Sequence, residues 1–122
     1  RDLWPARLQE AVGDNFSVAN CARSGTCAQR NTDAPFWATE ELADAKARGA
    51  DVVVLLFGTN DAKMKPPNWV SGEAFERDLT ALILEAGGTK RTLVLTPPPV
   101  HLPPEGAYGM DADVLNGPLP KV

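Results

Sequence analysis

DVVVLLFGTNDAK, Asp51 to Lys63, runs from one carboxylate through six apolar residues into a glycine and three small polar residues. Val52 to Phe57 is continuously apolar and β-branched in its front half, the pattern of a strand covered on both faces. Strands of that kind usually belong to parallel sheets, so this stretch predicts an α/β domain. The flanking segments alternate in agreement. WPARLQEAVG carries Trp4, Leu8, Ala11 and Val12 on a helical period, with Pro5 suited to a first turn and Gly13 closing it. NFSVAN reads as a short strand. APFWATEELADAKARG predicts a second helix, with Pro35 near its start, Phe36, Leu42, Ala43 and Ala47 on its period, and Gly49 after its end. SGEAFERDLTALILEAGG predicts a third, capped by Ser71 or Gly72, with Phe75, Leu79, Leu82 and Ile83 as its buried stripe and Gly87-Gly88 as its stop. RTLVLT reads as another buried strand. Helix and strand in this order form an α/β domain with right-handed crossovers, whose ligands bind at the carboxyl ends of the strands. The loops NCARSGT, GTND and TPPPV are therefore expected to gather along one edge of the sheet.

Composition bounds what such an edge can do. The 122 residues are 43% hydrophobic and 23% charged, enough for a single domain over 1–122 with a real core. Twelve basic against sixteen acidic residues leave a net charge of −4, and the basic residues cluster no further than Lys90 and Arg91. Phosphate binding needs concentrated positive charge, so nucleic acid is not an expected partner. No apolar run approaches membrane-spanning length. Cys21 and Cys27 have five residues between them, and a local disulfide and two thiols are both open readings. With His101 far away they make no four-ligand metal set. Localisation is left open by these features.

The chemistry of GTND follows from its residue types. A glycine directly after a strand lets a ligand approach the backbone and offers its N–H, and an Asn two residues later can aim amide donors into the same space. Converging neutral donors suit a developing negative oxygen. On this reading Asn60 is the donor, Gly58 keeps the loop close to the substrate, Thr59 shapes it, and Asp61 braces it through backbone hydrogen bonds. The four residues are also ordinary turn formers. A second loop tips the balance: in NCARSGT, Ser24-Gly25 follows the preceding predicted strand, and the Gly25 N–H can face the same pocket.

Taken together these blocks resemble the SGNH, or GDSL-like, hydrolase family. NCARSGT is similar to that family's Asn-x-x-x-Ser-Gly type block with an oxyanion glycine, and GTND matches its Gly-x-Asn-Asp block with an oxyanion asparagine. The helix with DLTALI, the strand end TLVLTPPPV and the segment YGMDADVLNGPLPKV continue the likeness, the last towards carbohydrate-acetylesterase-like members. The resemblance implies a flavodoxin-like three-layer sandwich and ester hydrolysis through an acyl-enzyme, acting on a small-molecule ester with no metal or organic cofactor. It implies Gly25 and Asn60 in the oxyanion hole, and Ser24, Gly58, Thr59 and Asp61 in the substrate-binding loops.

The departures are equally definite. No Gly-Asp-Ser occurs; the serines are Ser17, Ser24 and Ser71, none at a nucleophile position, and no Asp-x-x-His surrounds His101. A serine hydrolase needs a hydroxyl, a base to take its proton and usually a carboxylate to orient the base. This sequence supplies only the oxyanion half. The expected sheet is also incomplete, since in the order 2-1-3-4-5 its first strand would lie between NFSVAN and DVVVLLF. We therefore expect an internal fragment of a larger hydrolase, lacking the first strand and last helices, beginning without an initiator Met and ending at PLPKV. A non-catalytic α/β binding or scaffold module that has lost the triad is the alternative. A nucleotide site is not expected, because no Gly-x-Gly-x-x-Gly or phosphate-loop lysine motif is present.

Three features have plainer readings. Trp4, Trp37 and Trp69 are expected in core or interface packing rather than on a sugar. Glu40, Glu41, Asp44 and Lys46 are expected on the wet face of a helix. TPPPVHLPP is expected to guide a loop over the active edge.

Overall fold

In a computed structural model, residues 3–87, 91–101 and 109–121 are described. Helix α1 spans Trp4–Val12, and a 3-10 turn, Gly13–Asn15, follows it. After a long connection come a 3-10 turn at Phe36–Ala38 and helix α2 at Glu40–Arg48. Strand β1 is Val52–Leu56, helix α3 Gly72–Gly87 and strand β2 Arg91–Leu95. Helix α4, Ala112–Asn116, and a 3-10 turn, Leu119–Lys121, complete the order. β1 and β2 pair in parallel, from Val52 opposite Arg91 to Leu56 opposite Leu95, with α3 as the crossover between them. The predicted α/β class and parallel sheet are present, as a two-stranded sheet among the described residues. No helix of the described residues is long and apolar enough to cross a membrane.

Local signals explain the helix ends. Thr39 accepts a hydrogen bond from the Leu42 N–H, Glu40 and Glu41 occupy the first turn of α2, and Lys46 and Arg48 the last, each sign matched to the helix dipole. Gly49 ends the helix in the left-handed region at φ 58°. The helix expected from Pro35 onward thus begins only at Glu40. Thr39 adopts an extended conformation to cap, and that breaks the chain into a 3-10 turn and a helix. In α3, Ser71 Oγ accepts from the Ala74 N–H at 3.2 Å.

The core lies on the α3 side of the sheet. Phe36, Leu42, Phe75, Leu79, Leu82, Leu115 and Leu119 pack with Ala28 and Ala62, and Ile83, Trp37 and Trp69 press against them half-buried. Each large side chain so buried contributes roughly 1.5–3 kcal/mol. Gly58 belongs to this packing through its lack of a side chain. A Cβ there would lie 2.7 Å from Leu119 Cδ2 and 3.0 Å from Pro97 Cγ, at a φ of 121° that side chains avoid. Because the Leu119 methyls can partly yield, Gly58→Ala is expected to cost about 1–3 kcal/mol, read as a lower denaturation midpoint of the whole protein. An unchanged midpoint would mean that the loop relaxes freely.

Four expectations require correction. NFSVAN forms no strand. The Gln9 carboxamide occupies its backbone instead, donating to Phe16 O at 2.9 Å and accepting from the Val18 N–H at 2.7 Å, so these groups are withdrawn from any ladder. The strands are not covered on both faces: Leu55 alone is buried, while Val52, Leu56, Leu93, Val94 and Leu95 stand 42–56% exposed. Of the helical stripes, Trp4 is 49% exposed and Ala11, Ala43 and Ala47 are exposed, because α1 lies outside the core cluster and α2 turns only Leu42 inward. Trp4 therefore packs in no core. The α3 stripe is as expected. Gly88, Lys90 and the Leu102-Pro103-Pro104 part of the proline-rich run lie outside the described residues, as does Tyr108.

Candidate active site

Beyond the end of β1 the chain turns at Gly58 and runs through Thr59 and Asn60 to Asp61. Thr59 and Asn60 are half-buried, whereas Asp61 is fully buried. The second loop turns at Ser24-Gly25, with Gly25 at φ 83° and Ser24 exposed. Thr26 Oγ1 donates to Arg23 O at 2.7 Å and tightens that turn.

The two loops are joined directly. Asn60 Nδ2 donates to the carbonyl of Thr26 at 3.2 Å, which seats the carboxamide beside the residue following Gly25. Asp61 reaches across in the same direction. Its Oδ2 accepts from the Ala28 N–H at 3.1 Å and its Oδ1 from the Gln29 N–H at 2.8 Å. Burial pushes the Asp61 carboxyl above the usual aspartate range, against the Gln29 and Ala28 amides, which hold it down. The side chain anticipated as a brace of its own loop thus fastens one loop to the other. The third loop also arrives: Pro97, two residues beyond β2, is among the nearest atoms to Gly58. Val100 is clipped to α4 by Asn116, whose carboxamide accepts from the Val100 N–H at 3.0 Å and donates to Val100 O at 2.8 Å.

Sequence reasoning missed the residues behind these loops. Asn68, 1% exposed, bonds to the Asn60 carbonyl and to the Asp33 carboxylate. Gln29 Nε2 donates to Asn68 O at 3.0 Å, and Lys63 Nζ pairs with Asp33 Oδ2 at 3.1 Å. The hydrogen bonds from Asn68 and Lys63 hold the Asp33 carboxyl below its ordinary value. A lone polar residue between Pro66-Pro67 and Trp69-Val70 was the one available signal. Trp37 is a packing residue, as expected, and its Nε1 donates to Ala28 O at 2.7 Å beneath the Arg30 guanidinium. Trp69 packs against Phe75, ring centroids 5.8 Å apart.

Cys21 and Cys27 are both thiols. Cys27 is buried, which pushes its thiol up to about 11 and leaves it a poor nucleophile. Glu41 pairs with Arg23, Asp44 with Arg48 and Lys46 with Glu85, the solvated helix face anticipated. Among the described residues no three His, Cys, Asp or Glu side chains gather as metal ligands. A half-open pocket of about 150 Å³ lies beside the GTND loop, lined chiefly by Lys63, Met64, Trp69, Asp111 and Val114.

The sequence pattern of the GDSL-like lipase/acylhydrolase family matches residues 1–116. The chain belongs to that family. As a GDSL-like member it is also 39% identical, over 80 residues, to an acetylxylan esterase of Xylanibacter ruminicola. That alignment covers 66% of this chain and 16% of the relative, so the chain spans a small part of the esterase it matches. No solved structure matches the chain significantly. The GDSL-like match runs through both loops described above.

Proposed function

We propose that this chain is the oxyanion-holding portion of a serine ester hydrolase that removes acetyl or similar small acyl groups from a carbohydrate or other small ester. One observation carries the reading: the carboxamide of Asn60 is bonded to Thr26 O, next to Gly25, within a chain of the GDSL-like family. One amide hydrogen of Asn60 is engaged there, and among the described residues its other has no protein partner. In the reaction a serine hydroxyl, supplied from outside these residues, gives its proton to a histidine and attacks the ester carbonyl. The carbonyl electrons move onto oxygen, where the Asn60 amide and the Gly25 N–H stabilise them. The tetrahedral intermediate expels the alcohol, which takes the proton from the histidine, and water then releases the acid from the acyl-enzyme by the same steps in reverse roles. No metal or organic cofactor enters this sequence. Ser24, Gly58 and Thr59 line the approach, and Asp61 holds the approach in shape.

The wider fold follows from the same reading. A flavodoxin-like three-layer sandwich would add a strand on the open edge of β1 and helices over the exposed Val52, Leu56, Leu93 and Leu95, which share one face of the sheet. The chain by itself would then be inactive. The absence of Gly-Asp-Ser and Asp-x-x-His from the sequence favours a second reading, a binding module without catalysis.

The two separate by assay of the whole protein. We expect acetate release from acetylated xylo-oligosaccharides and from p-nitrophenyl acetate, together with fluorophosphonate labelling of a serine other than Ser17, Ser24 and Ser71. Neither release nor labelling would leave the binding module as the reading.

A further inference from the structure

We infer that Asn68 is a positioning residue for Asn60, clasping the GTND loop to the segment that follows Gly25. The inference rests on the reading of Asn60 as an oxyanion donor. Asn68 sits on neither loop. Its Nδ2 donates to Asn60 O at 3.0 Å and to Asp33 Oδ1 at 2.8 Å, with Cys27 Sγ at 3.4 Å, and its Oδ1 accepts from the Asp33 N–H at 3.1 Å. Its own backbone is fixed as well, the N–H on Lys63 O at 2.9 Å and the carbonyl under Gln29 Nε2 at 3.0 Å. Both ends of one planar amide are thus used within the protein, by a side chain that is itself 1% exposed.

The residue type follows from those partners. The position needs two donors and an acceptor within one short side chain, and only a carboxamide offers that. An aspartate would lose both donors and set a second carboxylate against Asp33. A leucine would leave the Asp33 N–H and Asp33 Oδ1 without this partner. The Asn60 carbonyl belongs to the peptide that begins Asp61, so a hydrogen bond there limits rotation of the backbone that aims the Asn60 side chain. Asp33 and Cys27 lie on the other side of the clasp, in the segment starting two residues beyond Gly25. One buried amide therefore holds both halves of the donor pair at a fixed separation. Donors that act on a transition state depend on such pre-set geometry more than substrate binding does.

The test is a double-mutant cycle in the whole protein, with Asn60→Ala, Asn68→Ala and the pair, following kcat and KM for an acetyl ester. Asn68→Ala should lower kcat about tenfold with KM within about twofold, and in the Asn60→Ala background it should lower kcat no further. Full and independent losses from both changes would overturn the inference and leave the oxyanion reading standing. An unchanged kcat in Asn60→Ala would remove that reading, and the inference with it. Should Asn68→Ala fail to fold, Asn68→Ser enters the same cycle. Side-chain amide exchange in the ¹⁵N-labelled wild-type protein gives a further check: Asn68 amide protons exchanging as fast as those of exposed asparagines would also overturn the clasp.

Discussion

Asn60→Ala, made in the whole protein, is expected to lower kcat for an acetyl ester by about a hundredfold or more, with little change in KM. The magnitude comes from where the donor acts. A neutral amide aimed at a ground-state carbonyl oxygen gains little, whereas the same amide aimed at the charged oxygen of the tetrahedral intermediate stabilises it strongly in a partly dry site. The Thr26 carbonyl already accepts one hydrogen of the amide, so the carboxamide is held before substrate arrives and no ordering is needed at the moment of reaction. Asn60→Asp tests the donor at constant side-chain size. Its carboxylate would retain the size, lose the donor, repel the Thr26 carbonyl and oppose a negative oxygen. It should be at least as slow as Asn60→Ala. Steady-state kinetics with unchanged kcat in Asn60→Ala would end the assignment.

The elements that a sequence can announce are those whose partners lie close along the chain. Thr39 and Gly49 bound α2, and Phe75, Leu79 and Leu82 lie on one face of α3, because helix geometry relates residues within a few positions. DVVVLLF and RTLVLT were legible as strands from their apolar runs, and GTND from the glycine that ends the first of them. What escaped depends on distance in sequence. NFSVAN has strand composition, yet a strand exists only by pairing, and Gln9 takes the groups that pairing would use. Both faces of β1 and β2 are apolar as read, but covering them requires neighbours that periodicity does not supply. Asn68 was invisible for a related reason. Its partners Cys27, Asp33 and Asn60 come from two other segments, and the prolines and apolar residues flanking it do not say which groups it meets.

Asp61 gives the largest expected effect on stability. In Asp61→Ala the Ala28 and Gln29 amides lose their acceptors in a fully buried place, each at a cost of about 1–3 kcal/mol, so a total of about 2–6 kcal/mol is expected. A competing term works the other way, because removing the carboxylate also removes its own cost of burial. That cost is what raises its pKa. The net effect of truncation is still a loss, because the carboxyl accepts from both buried backbone amides whether charged or neutral, and Ala leaves both without an acceptor. The competing term has a signature in pH. A folded-state pKa above the unfolded one gives a stability contribution present below the unfolded pKa and lost as pH rises through the folded value. The gap between wild type and Asp61→Ala should therefore narrow as pH rises across that window, and stay constant above it. Denaturant titrations at several pH values measure both quantities. A gap under about 1 kcal/mol throughout would mean that water reaches the two amides and that Asp61 is not what joins the loops. A gap that widens with rising pH would mean that the amides, rather than burial, dominate its titration.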